Sequence, residues 1–93
     1  SCHAHRVDRP KVLVVDDEEN IRFLVTSALS VQNLDVTAVH SGTDALHHLR
    51  TAPVDVVVLD INLPDIDGFE ILRRLRAERW EGSVLYLTAR GAT

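Results

Sequence analysis

The chain has 93 residues, 45% of them hydrophobic and 26% charged, a profile that fits one globular domain and leaves no room for a second. A formal net charge of −4 excludes a general binder of nucleic acid or anionic membrane, because those need a basic face. Cys2 is the single cysteine, which excludes an internal disulfide; no apolar stretch approaches the ~18–20 residues of a bilayer crossing, so a cytoplasmic location is the expectation.

Residues 1–10 are polar and read as a disordered leader, in which the His3-x-His5 pair is a poor candidate for a metal site. Val12 to Val15 is an all-apolar run that ends in Asp16 and Asp17. From Glu18 the period changes: Ile21, Leu24, Val25, Ala28 and Leu29 make an apolar helical stripe, with Asp17 placed to cap the helix. Leu34 to Val39 alternates weakly and fits a sheet edge. Ser41 and Gly42 then turn into a helix carrying Ala45, Leu46 and Leu49 on one face, with His47 and His48 solvated beside it.

Val54, Val56, Val57, Val58 and Leu59 make the strongest strand of the chain, an apolar and mostly β-branched run that stops at Asp60. Such a run predicts a strand covered on both faces of a parallel sheet. Pro64 cannot donate to a ladder, so the chain must leave the sheet there and present Asp60 in a loop crevice. Asp65, Asp67 and Gly68 form a turn, and Phe69, Leu72 and Leu75 begin a third amphipathic helix. Glu70 and Arg74 are an i, i+4 pair on that helix, and Arg73, Arg74, Arg76 and Arg79 make its outer face basic. The turn around Trp80 and Gly82 ends it, and Val84 to Leu87 is a fourth apolar strand followed by Thr88, Ala89 and Arg90.

The order βαβαβαβ implies a parallel sheet with right-handed crossovers and helices on both faces. Ligands of such sheets bind beyond the carboxyl ends of the strands. Asp16, Asp17, Asp60 and Thr88 all fall at that edge, although they are far apart in sequence. Three carboxylates brought together repel, and a hard divalent cation relieves the repulsion; few carboxylates, a carbonyl and waters suit Mg2+. A carboxylate oxygen of Asp60 is then placed to attack phosphorus, with the Thr88 hydroxyl facing the phosphoryl group.

Three blocks in order, Val14-Val15-Asp16-Asp17-Glu18, then Val58-Leu59-Asp60-Ile61-Asn62-Leu63-Pro64-Asp65-Ile66-Asp67-Gly68, then Leu87-Thr88-Ala89-Arg90, resemble the receiver domain of two-component response regulators. The resemblance covers Lys11 to Arg90, and the wording from Leu63 to Glu70 with Leu-Thr-Ala-Arg is most similar to the OmpR/PhoB-like branch. It implies a flavodoxin-like α/β fold with strand order 2-1-3-4 over residues 11–93. It also implies that Asp60 is the phosphoacceptor, charged by a sensor histidine kinase. Asp16, Asp17, Asp60 and the backbone carbonyl of Asn62 would hold Mg2+. Thr88 would be the switch hydroxyl with the Ala89 backbone N–H beside it, and Asn62 and Arg90 would tune the lifetime of the phosphoryl group. The chain would be a phosphoacceptor signalling domain rather than an enzyme, reaching DNA only through an output domain.

The family continues where this sequence stops at Thr93, with a fourth helix, a fifth strand ending in a phosphoryl-pairing Lys, an aromatic switch residue and a fifth helix. The resemblance therefore implies a truncated receiver, with impaired phosphorylation and an apolar edge over residues 84–88 through which copies self-associate. A haloacid-dehalogenase-like phosphatase fits less well, since it wants a second acid where this chain has Asn62; a calcium loop fails on spacing and on Pro64. The alternative carried forward is a receiver-like module that dimerises or docks without switching.

Overall fold

The computed structural model describes residues 9–87, so the expectations placed on Thr88, Ala89, Arg90 and most of the leader lie outside the described residues. The elements are β1 (Lys11–Val15), α1 (Glu19–Ser30), β2 (Asp35–Val39), α2 (Gly42–Thr51), β3 (Val56–Asp60), α3 (Gly68–Ala77) and β4 (Ser83–Leu87). The four strands form one parallel sheet in the order β2-β1-β3-β4, as expected. Val14 is level with Ala38 on one side and Val58 on the other, and Asp60 is level with Leu87. The strand ends of β1 and β3 therefore open at the same edge of the sheet.

The core lies on one face. Leu13, Val15, Val57 and Leu59 from the sheet close on Ala45, Leu46 and Leu49 of α2 and on Ile71 and Leu75 of α3. α1 touches β1 and β2 on the opposite face, over Val12 and Val14. Central β1 is thus buried on both sides, which is what its uninterrupted apolar run requires.

Several local expectations need correction. β3 is fully covered on one face only: Val57 and Leu59 are buried, whereas Val56 and Val58 are half-buried, because α1 sits over β1 and β2 and leaves β3 and β4 open on its side. For the same reason the stripe of α1 is not a core face; none of its residues is buried, and Leu24 is 62% exposed. Asp17 does not cap α1. The N-cap position is Glu18, without a side-chain bond, and Asp16 Oδ1 instead accepts from the Glu18 N–H at 2.9 Å.

On α3, Phe69 is 56% exposed and lies against Tyr86 with ring centroids 4.9 Å apart, so the inward stripe is Gly68, Ile71 and Leu75. That helix ends at Ala77, ahead of the turn that holds Trp80 and Gly82. Arg79 takes a left-handed φ of 68°, and the Trp80 N–H returns to Leu75 O at 2.9 Å, satisfying a carbonyl of the last turn. The basic face is largely paired: Glu70 accepts from Arg73 at 2.6 Å and from Arg74 at 2.9 Å, and Arg76 lies over the Trp80 ring. Among the described residues no helix is long and apolar enough to cross a membrane.

Candidate metal centre

β1 and β3 are adjacent and in register, so the first residues past their ends are neighbours. Asp16 and Asp17 follow β1, and Asp60 ends β3. One carboxylate oxygen from each lies within 4.8 Å of those of the other two, with Asp16 buried, Asp60 half-buried and Asp17 exposed. The cluster therefore has a buried floor and an open mouth.

Each backbone around it is tied down. Asp16 Oδ1 takes the Glu18 N–H, and Arg22 Nη1 donates to the Asp16 carbonyl at 2.8 Å, which pins the β1–α1 turn from α1. Asp60 Oδ1 accepts from the Asn62 N–H at 3.0 Å, so the chain curls back on the carboxylate as it leaves the sheet. Gly68 closes the loop: its N–H donates to Ile61 O at 3.1 Å, and an added Cβ would stand 3.0 Å from both Asp60 O and Ile61 Cα. A side chain there would push on the main chain that carries Asp60.

Burial raises the pKa of Asp16 above the ordinary 3.8; the Glu18 N–H opposes this, and repulsion from Asp60, Asp17 and Glu18 adds to it. The site is a concentration of negative charge. The residues fit a hard divalent ion. Three carboxylate oxygens within 4.8 Å of one another are the kind of donor set that Mg2+ takes.

Two contributors were not readable from the sequence. The sequence places Asp65 in a turn; its carboxylate also reaches the first turn of α2, accepting from the Gly42 N–H and Thr43 N–H (both 2.9 Å) and from Thr43 Oγ1 (2.8 Å). Its partners are more than 20 residues away, and the only local hint was that Asp67 alone suffices as N-cap of α3, through the Phe69 N–H, leaving Asp65 unexplained. Arg22 read simply as a polar residue of α1, and nothing in the spacing points it at a carbonyl of the preceding strand end.

Residues 12–93 match the response regulator receiver domain. The chain belongs to this family. Among curated relatives of this receiver domain, the transcriptional regulatory protein TrcR of Mycobacterium tuberculosis is 46% identical over 88 residues, covering 92% of this chain and 34% of TrcR. Among solved structures, the response regulator protein TrrA of Thermotoga maritima in complex with Mg(2+)-BeF superposes with a TM-score of 0.82 at 34% identity, covering 86% of this chain and 70% of that one. The complex of histidine kinase ThkA with TrrA matches with a TM-score of 0.80 at 34% identity, over 86% of this chain and 69% of that one. The receiver domain here spans about a third of the length of the curated relatives it matches.

Proposed function

We propose that this receiver domain takes a phosphoryl group onto Asp60 from a phosphohistidine of a sensor histidine kinase. An Asp60 carboxylate oxygen attacks phosphorus, the P–N bond breaks, and its electron pair leaves with the imidazole, giving an aspartyl phosphate. Asp16, Asp17, Asp60 and the Asn62 backbone carbonyl would hold Mg2+, which supplies neutralisation of the charge on the transferring group. The Thr88 hydroxyl and the Ala89 N–H would donate to phosphoryl oxygens. Asn62 and Arg90 flank the approach of the hydrolytic water and set how long the phosphate lasts.

The observation that carries this reading is the meeting of three carboxylates from two strand ends within 4.8 Å, one of them buried at an energetic cost that a cation offsets. The ThkA–TrrA complex supports a kinase as partner, and the Mg(2+)-BeF complex of TrrA supports the ion. Relatives named as transcriptional regulators support a DNA-binding output of the OmpR/PhoB type and a cytoplasmic setting.

The test is incubation with Mg2+ and acetyl phosphate, followed by intact-mass measurement. It is run on the 93-residue chain and on the chain extended to the full receiver length of its solved relatives, with Asp60→Ala as control. A gain of one phosphoryl group that disappears in the control is expected. No gain at either length would overturn the phosphoacceptor reading and leave a module that docks without switching.

A further inference from the structure

The segment 61–67 leaves Asp60 and must hold the Asn62 main chain beside it. Two of its ties are internal or adjacent: Asn62 N–H to Asp60 Oδ1, and Gly68 N–H to Ile61 O. Leu63 is buried, which anchors the segment without fixing its direction, since apolar contact is non-directional. The directional tie comes from Asp65. Both of its carboxylate oxygens are engaged by the first turn of α2, with three bonds of 2.8–2.9 Å from Gly42 and Thr43.

The contact is close enough to dictate sequence on both sides. A Cβ at Gly42 would overlap Ile66 Cγ2, and would stand 3.0 Å from Ile71 Cδ1 and 3.2 Å from Asp65 Oδ1. The segment thus lies directly on the start of α2, and α2 is fixed to the sheet by buried Ala45, Leu46 and Leu49. Ser41 Oγ accepts from the Asp44 N–H at 3.1 Å and leaves the Gly42 and Thr43 N–H groups of the first turn to Asp65. Asp65 therefore completes the cap of α2, and the same three bonds are the directional anchor for the segment.

We propose that Asp65 is a positioning residue for the phosphoryl and metal site: by gripping the first turn of α2 it sets the course of segment 61–67, and with it the Asn62 main chain next to Asp60. This rests on the reading of Asp16, Asp17 and Asp60 as a Mg2+-dependent phosphoacceptor site, and adds to it a residue whose own side chain is hydrogen-bonded to α2.

The experiment compares Asp65→Ala and the milder Thr43→Ala, which removes only the hydroxyl donor, with Ser41→Ala, which weakens the same helix start without touching the segment. Mg2+ is titrated at low temperature while the backbone amides of Asp60, Ile61 and Asn62 are followed by NMR, and thermal midpoints are recorded for each variant. Loss of an outer partner that orients a ligand typically weakens metal binding by about tenfold. That loss is expected for Asp65→Ala, a smaller one for Thr43→Ala, and none for Ser41→Ala despite a comparable fall in midpoint. Equal weakening by Asp65→Ala and Ser41→Ala at matched stability, or unchanged affinity in Asp65→Ala, would overturn the positioning role alone. A parent chain whose amides at Asp60 to Asn62 do not respond to Mg2+ would overturn the metal-site reading itself.

Discussion

At Asp16, burial and neighbouring charge both favour the protonated carboxyl, so its pKa in the folded chain lies above the ordinary 3.8. A group raised in this way stabilises the fold fully only below its unfolded value, and that contribution is lost as pH rises through the folded one. At neutral pH the ionised Asp16 is therefore a load on the metal-free fold. Asp16→Asn keeps an oxygen for the Glu18 N–H and removes the charge. Calorimetry should show its metal-free midpoint higher at pH 7 than that of the parent chain, with the gain shrinking as pH falls toward 3.8. On the proposed metal reading, Mg2+ should raise the midpoint of the parent chain and not that of the variant, because binding to the folded state alone produces such a rise. A lower midpoint in the variant at pH 7 would contradict the assignment. Asp65 has the opposite sign: burial pushes its pKa up, but the donors from Gly42 and Thr43 outweigh this and hold it at about 2. Its contribution is present above its ordinary value and is lost as pH falls toward 2.

Unequal covering of the two sheet faces orders the elements by how much each holds the fold together. Ile71 is fully buried between α3, α2 and the sheet, whereas Phe23 on α1 is 70% exposed. Ile71→Ala should cost about 2–5 kcal/mol by loss of transfer free energy and creation of a cavity. Phe23→Ala should stay within about 0.5 kcal/mol, as for surface positions generally. Urea unfolding of both variants checks this, and a large loss in Phe23→Ala would mean that α1 is packed more tightly than its exposure indicates. Glycine has different work at two element starts. At Gly42 it admits Ile66 onto α2, and at Gly68 it lets α3 begin against the carbonyl of Asp60.

Taken whole, the described sheet has β2 at one edge and β4 at the other, and β4 shows Leu85 at 60% and Tyr86 at 37% exposure. An apolar edge with open main-chain groups is a template for a second chain. We propose concentration-dependent self-association of the 93-residue chain through this edge or the adjoining receiver face. Light scattering behind size exclusion should show it, and Leu85→Lys should reduce it, since an edge lysine opposes strand addition. A monodisperse monomer at millimolar concentration would refute it.

The sequence by itself determined the element order, the parallel sheet and the three acids at its carboxyl edge, because a short apolar strand ending in acid is a local pattern and right-handed crossovers leave little topological choice. The pairing of Glu70 with Arg74 was legible for the same reason: the two lie within one turn. Which faces are buried was not legible, since the stripe of α1 and the run of β3 are apolar whether or not another layer covers them. Nor was the reach of Asp65 to α2, or of Arg22 to the Asp16 carbonyl. Those bonds join residues that only the folded sheet brings together, and a carboxylate or guanidinium in a sequence does not say which distant N–H or carbonyl it will meet.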